Sequence, residues 1–452
     1  IGLLLCSYTW ADGSRYASKS LLSEGKWVKI RVDKTGIYKL SYADLKNMGF
    51  SAPSKVSVHG YGGWPLDEDF SKEYIDDVPS TPVWRGSDYL LFYGKGPVKW
   101  EYDSSSQTFV HTNNPYSLYG YYFVTDATPT NDMTSVAQAS GATNRITTYD
   151  DYLVHEQELV SLAKSGRELY GEDFSGATPR TLSTFSSIPG ITNEDAKVTM
   201  SFVSKVTSGT GVASLSINQS NVLDVSIRSN REEEYVKALE GVSTAVWKGE
   251  KSEKNSVVVS SNSASHNNVR LNYVRLHFKR TLQLYGAYTF FRSIASIGNV
   301  SRFVVQGANA NTLVFDVTDA QRVRLMETEL NGSELTFSIP AGTLREFVLV
   351  RTDQSFISPE VVGEVENQNL HALEQKDMII IAAKAFQTQA ERLAEEHRAT
   401  DGLTVEVVDP QSIYNEFSSG APDATAYRRF MKMFYDRSVS AGNAPKYLLL
   451  FG

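Results

Sequence analysis

A chain of 452 residues, 41% hydrophobic and 21% charged, has the composition of a folded protein of about three domains and excludes a disordered one. Its net charge of −8 leaves no basic footprint for nucleic acid or an anionic membrane. The single cysteine, Cys6, excludes a disulfide framework and a cysteine-based metal site.

Residues 1–11, IGLLLCSYTWA, form an apolar segment ending in small residues, with Thr9 and Ala11 at the −3 and −1 positions. This pattern reads as the tail of a secretory signal peptide, and it implies an exported protein. Leu5 before Cys6 excludes a lipoprotein box. A buried N-terminal strand is the alternative. No other stretch approaches the roughly 18 apolar residues that span a bilayer.

Residues 12–148 read as a β-rich domain. The stretch KWVKIRVDKTGIYKL alternates and then turns at Lys34, Thr35 and Gly36, as a hairpin would. SYADLKNMGF is a short helix that Ser41 can cap and Gly49 can end. KVSVHGYGGWPL, SDYLLFYGKGPVKWEYD and GYYFVTD supply further strands, and a polar passage near 127–148 reads as a linker. Residues 149–365 hold strand-like runs at the spacing of a β-sandwich, among them AKVTMSFVSKV, VRLNYVRLHFKRTLQLY, ELTFSIP and EFVLVRT.

From 366 to 452 the pattern changes to α/β. DMIIIAAKAF is a buried strand, and Phe386, Ala390, Leu393, Ala394 and His397 then recur on one helical face. Asp401 and Gly402 stop that helix. LTVEVVD is a second strand, PQSIYNEF a helix opened by Pro410, and Asp423 caps a longer helix that Gly442 and Pro445 close. YLLLF, residues 447–451, has the apolar character of a strand buried on both faces. Short links between these elements imply parallel strands with right-handed crossovers.

Chemistry-bearing residues are sparse. His59, His111, His155, His266, His277, His371 and His397 show no HxxH or HExxH spacing, so a helical zinc site is excluded. His397, beside Glu395 and Glu396, reads as a surface or half-buried helix residue rather than a proton relay. The glycine runs HGYGGWP (59–65) and YGKGP (93–97) lack a following helix and a GK[ST] ending, so they read as tight turns and not as phosphate loops. Asp67, Glu68, Asp69, Glu73, Asp76 and Asp77 lack EF-hand spacing and read as a solvated acidic loop. Asn218, Asn299 and Asn331 sit in Asn-x-Ser sequons, a pattern common by chance. There is no GxSxG elbow and no GxGxxG run after the first α/β strand. Neither a cofactor nor a metal is called for, and the chain holds no credible catalytic set.

The segments NQNLHALEQKDMIIIAAKAF, AERLAEEHRATDGLTVEVVD, IYNEFSSGAPDATAYRRFMKMFYDR and PKYLLLFG resemble the gingipain-type cysteine peptidases of family C25, and most closely the sortases of the type IX secretion system of Bacteroidetes. KWVKIRVDKTGIYKLSYADLKNMGF and SDYLLFYGKGPVKWEYD resemble that family's N-terminal β-region. The resemblance implies the first part of a caspase-like α/β domain with a His–Cys dyad expected beyond Gly452, so no residue of this chain is assigned to it. It implies as partners exported cargo proteins with C-terminal signal domains, outer-membrane components of the type IX shuttle, and anionic lipopolysaccharide as acceptor. It also implies a location at the surface of a Gram-negative cell. A non-enzymatic β-rich adhesin or glycan-binding protein, with Tyr and Trp stacking on sugars, is the competing reading. On either reading the α/β portion is expected to be poorly stable alone, because parallel strands need neighbours and cover on both faces.

Overall fold

The computed structural model describes residues 15–72, 76–162, 166–176, 178–205, 209–229, 238–262, 269–438 and 443–452. The signal-like segment with Cys6, and also Glu73, His266 and Gly442, lie outside them. Two β-rich regions are followed by a small α/β region with parallel strands.

The first region packs two sheets face to face. A five-stranded sheet runs in the order Glu360–Val365, Trp27–Val32, Gly120–Thr125, Ser57–Gly62 and Ser80–Thr81. A three-stranded sheet of Gly36–Ser41, Tyr89–Gly94 and Val83–Arg85 covers it, and Val28, Ile30, Leu40, Phe92 and Tyr122 fill the space between. The expected hairpin at Lys34, Thr35 and Gly36 is therefore not one. Trp27–Val32 pairs with Gly120–Thr125, while Gly36–Ser41 pairs with Tyr89–Gly94. The reason is burial. Val28, Ile30 and Val32 on one arm and Tyr38 and Leu40 on the other meet in one core when the chain folds over at the turn. Ser41 caps the helix Tyr42–Asn47 through a reciprocal pair of bonds with Asp44.

Glu360–Val365, which ends the second region in sequence, pairs antiparallel with Trp27–Val32, so the chain returns to the first sheet before entering the α/β region. Between these points lies a nine-stranded sheet. It is covered by two smaller sheets side by side, each over its own core. One core gathers Phe185, Met200, Phe202, Leu215, Val259 and Leu271; the other gathers Phe291, Phe303, Phe337, Phe347 and Leu349. The passage 127–148 is woven in: Ser135–Val136 and Asn144–Ile146 add parallel to strands of the second region. The hairpin Val98–Asp103 and Thr108–Asn113 leans on the long sheet, where Trp100 stacks on Tyr152 at 4.0 Å.

In the α/β region Met378–Ala382 is central, with Val405–Val408 and Tyr447–Phe451 parallel on either side. Ile379 and Ile381 face Ile413, Phe417, Phe430 and Met433 from the helices Pro410–Phe417 and Ala424–Arg437. Ile380 faces the opposite way, toward Ala390 and Ala394 of helix Gln387–Thr400. Two expectations change here. Phe386 precedes that helix instead of sharing its buried stripe, and it meets Phe451 edge-on at 6.5 Å. The last strand is an edge strand paired only with Met378–Ala382, with Leu448 46% and Leu450 62% exposed, because the helices cover the other two strands of the sheet.

Candidate functional site: a buried charge cluster between the β-rich and α/β regions

The histidines among the described residues are dispersed, and each is held by neighbours. His59 is buried between Ser57, Thr128 and the Val78 carbonyl, and burial pushes its pKa down. His111, His155 and His277 pair with Glu156, Glu172 and Asp150 at 2.8, 2.6 and 3.1 Å on or beside the nine-stranded sheet. His397 bonds Asp401 at 2.6 Å, one turn along its own helix. None of these sites contains a thiol. The glycine runs are not simple turns: His59–Gly62 belong to the strand Ser57–Gly62, which bulges between His59 and Gly62, and Tyr93 and Gly94 end the strand Tyr89–Gly94. Beyond the strand ends the two runs pack on one another, where the Gly63 amide donates to the Lys95 carbonyl at 2.9 Å.

His371 is different. Its ring is fully buried and lies flat on Phe417, with centroids 4.7 Å apart. Nδ1 is 2.5 Å from Glu416 Oε2, and Nε2 is 3.0 Å from Asp76 Oδ1. Glu416 stands on the inward face of the helix Pro410–Phe417, one turn after Ile413 and next to Phe417. Its carboxylate also accepts from the amides of Leu370 and His371 and from Gln368 Nε2. Asp76 comes from the first region, 295 residues away in sequence, in the loop that sequence reads as solvated. That reading fails for Asp76 and Asp77. Asp77 accepts from Ser20 Oγ at 2.8 Å and the Leu21 amide at 2.7 Å, and Asp76 accepts from the Ala17 amide at 2.6 Å. With inward donors already in place, the carboxylates bury.

The electrostatics follow from this geometry. Burial alone would lower the His371 pKa, but hydrogen bonds and charge from Asp76 and Glu416 outweigh it and raise the pKa to about 9. The ring is therefore an imidazolium at neutral pH, a cation bonded on both sides to carboxylates. Burial pushes Asp77 up, while its bonds with Leu21 and Ser20 and the charge of His371 pull it back. Asp77, His371 and Glu416 bring ligand atoms within 4.8 Å of one another, a spacing that a metal ion could use. Yet the Asp77 and Glu416 oxygens already accept from N–H and O–H donors, and both ring nitrogens of His371 donate to carboxylates, so the set fits an ion-pair lock better than a metal centre. Proton transfer fits no better, because neither ring nitrogen has a free lone pair.

Around this cluster the first region grips one edge of the α/β region. Arg437 donates to the carbonyls of His371 at 2.7 Å and Ala17 at 2.6 Å. The Tyr16 hydroxyl reaches Asp436 at 2.7 Å, and the Leu66 amide reaches Asp423 at 3.1 Å. Asp423 also caps its helix through the Thr425 amide. Lys29 is buried over the Tyr121 ring and donates to the Gly420 carbonyl at 2.7 Å; burial lowers its pKa to about 8. Ser419 accepts from the Tyr61 amide at 2.9 Å. Sequence reading did not single out Glu416 or Lys29. A glutamate inside the apolar stripe of PQSIYNEF was the available signal.

Residues 371–452, which begin at the cluster's histidine, match the model of peptidase family C25. No curated protein matches the chain. Among solved structures, the crystal structure of dimeric latent PorU from Porphyromonas gingivalis aligns with a TM-score of 0.90 and 34% identity over 97% of this chain. The chain spans 42% of the length of that PorU chain. An infectious bursal disease virus structure also aligns, but at a TM-score of 0.15 and 10% identity it carries no weight. The chain, alike to PorU along nearly its whole length and matching the family model in its α/β region, belongs to peptidase family C25.

Proposed function

We propose that the chain forms the accessory regions and the first α/β elements of a secreted, surface-located cysteine endopeptidase of the sortase kind. On this reading the protein removes C-terminal secretion signals from type IX cargo and transfers the cargo to anionic lipopolysaccharide. Outer-membrane shuttle components deliver the cargo. The single observation that carries the reading is the 34% identity with PorU over 97% of the chain.

The chemistry is thiolate attack on a peptide carbonyl. A histidine lowers the thiol pKa and then protonates the leaving amine. The only cysteine in these 452 residues is Cys6, in the signal-like segment, so we assign the nucleophile to none of them. The contribution of this chain is placement. His371, Arg437 and Lys29 fix the helices Pro410–Phe417 and Ala424–Arg437 against the β-rich support, and with them the strands of the peptidase fold.

The test is to incubate the complete protein with cargo bearing its C-terminal signal, and to follow the new cargo terminus by mass spectrometry. The expected result is loss of the signal, blocked by iodoacetamide, and an amide bond to an amine of added lipopolysaccharide. Cargo left intact, or cleaved despite thiol alkylation, contradicts the peptidase reading. Cleavage that yields only the free acid contradicts the sortase reading.

A further inference from the structure

A cleft of about 800 Å³ lies where the first region meets the nine-stranded sheet. Its walls come from residues 65–68, 97–101, 112–118, 154–158 and 166–170, with Asn272. The volume is that of an ordinary ligand site. Among the described residues, six lining carboxylates face two lining cations, Lys99 and Arg167. Both cations are already committed, Lys99 to Glu101 at 2.8 Å and Arg167 to Glu68 at 2.6 Å. Asp67 is served by Lys72 at 2.9 Å.

Glu156 and Glu158 are served differently. Both converge on one neutral donor, the Asn113 amide, at 2.7 and 3.2 Å. His111 Nε2 adds a bond to Glu156 at 2.8 Å, but this ring brings no charge. Its Nδ1 faces Arg275 Nη1 at 3.3 Å, and a guanidinium can only donate, so Nδ1 accepts and the single ring proton sits on Nε2. Arg275 is thus separated from Glu156 by the imidazole. Burial, the larger cause, and the charge of Glu156 push Glu158 up, and among the described residues no Lys or Arg side chain pairs directly with either carboxylate. At the rim, Leu118 is 77% exposed and Tyr116 38% exposed.

We propose that this cleft is a docking site for an extended basic peptide segment, whose Arg or Lys side chain enters between Glu156 and Glu158 while its neighbours lie on Tyr116 and Leu118. A carboxylate pair suits the fork of a guanidinium, and a long basic side chain lays its aliphatic stem on apolar surface on the way in. The site does not depend on the peptidase reading.

The test uses the complete protein and a fluorescein-labelled decapeptide of alternating Arg and Leu, followed by anisotropy at two salt concentrations. The expected result is saturable binding that weakens with salt, with no binding of the Glu-for-Arg counterpart. E156Q/E158Q keeps the hydrogen-bonding shape and is expected to weaken binding at least tenfold. L118S, at an exposed position that folding does not need, is expected to weaken it about threefold. E360Q/E364Q, on the far sheet edge, leaves binding unchanged. Unaltered affinity in both E156Q/E158Q and L118S overturns the proposal. So does displacement of the peptide by spermine at equal charge, or an anisotropy rise traced to self-association of the protein.

Discussion

Replacing His371 with alanine lowers the unfolding free energy by about 3–5 kcal/mol, because Glu416 and Asp76 are left in the interior without their cation. The ring is 1% exposed, and its two carboxylate bonds join segments 295 and 45 residues away in sequence, so no local rearrangement replaces it. Urea denaturation followed by fluorescence measures the loss; a change below about 1 kcal/mol would show that water takes over the ring's role. The same residue sets a pH dependence. Its folded pKa, about 9, lies above the ordinary 6.5. Its contribution is therefore complete below pH 6.5 and is lost as the pH rises through about 9. Asp76 is held below its ordinary value, with burial opposing and the His371 bond prevailing, so its contribution is lost on the acid side. In H371Q the decline in stability between pH 6.5 and 9 disappears. Lys29, lowered from 10.5 to about 8, raises stability as the pH climbs from about 8 to 10.5, in wild type and variant alike, so it cancels in their difference.

Gly420→Ala is the second large effect. Gly420 has φ of +87°, and an added Cβ would lie 2.5 Å from Lys29 Cε and 3.2 Å from Phe123 Cζ. Left-handed strain and displacement of the buried lysine together cost about 2–4 kcal/mol. Gly402 is the control. It also has a positive φ, +63°, but an added Cβ meets nothing within 4 Å. Its alanine variant is expected to lose only about 1 kcal/mol. Equal losses in the two variants, compared by denaturation midpoint, would mean that the Lys29 contact contributes nothing.

The α/β order was legible because its signals are local. Pro410 opens a helix, Asp423 caps one, and the apolar run of Met378–Ala382 is too short for a helix and too apolar for a surface strand. Strand identity in the β-rich regions was legible for the same reason, although Thr148–Glu156, Leu239–Trp247, Tyr288–Arg292 and Glu360–Val365 escaped notice. Leu239–Trp247 is an edge strand with partly exposed residues, which blurs the hydrophobic pattern. Partnership between strands was not legible. Nothing near Lys34 says that its two flanking strands enter different sheets, or that Glu360–Val365 returns to Trp27–Val32. The cluster at His371 was hidden for a related reason. Asp76 is one of six acidic residues in a short loop, and only the positions of Ala17 and His371 distinguish it from those that stay solvated.

If the charge cluster makes the first β-rich region and the C25 α/β region one cooperative unit, native-state hydrogen exchange reports it directly. The amides of Ile379, Ile380 and Ile381 should open with the same free energy as those of Val28 and Ile30, and both sets should fall together in H371A. Exchange of the three isoleucine amides at a separate, lower energy, unchanged by H371A, would contradict the account.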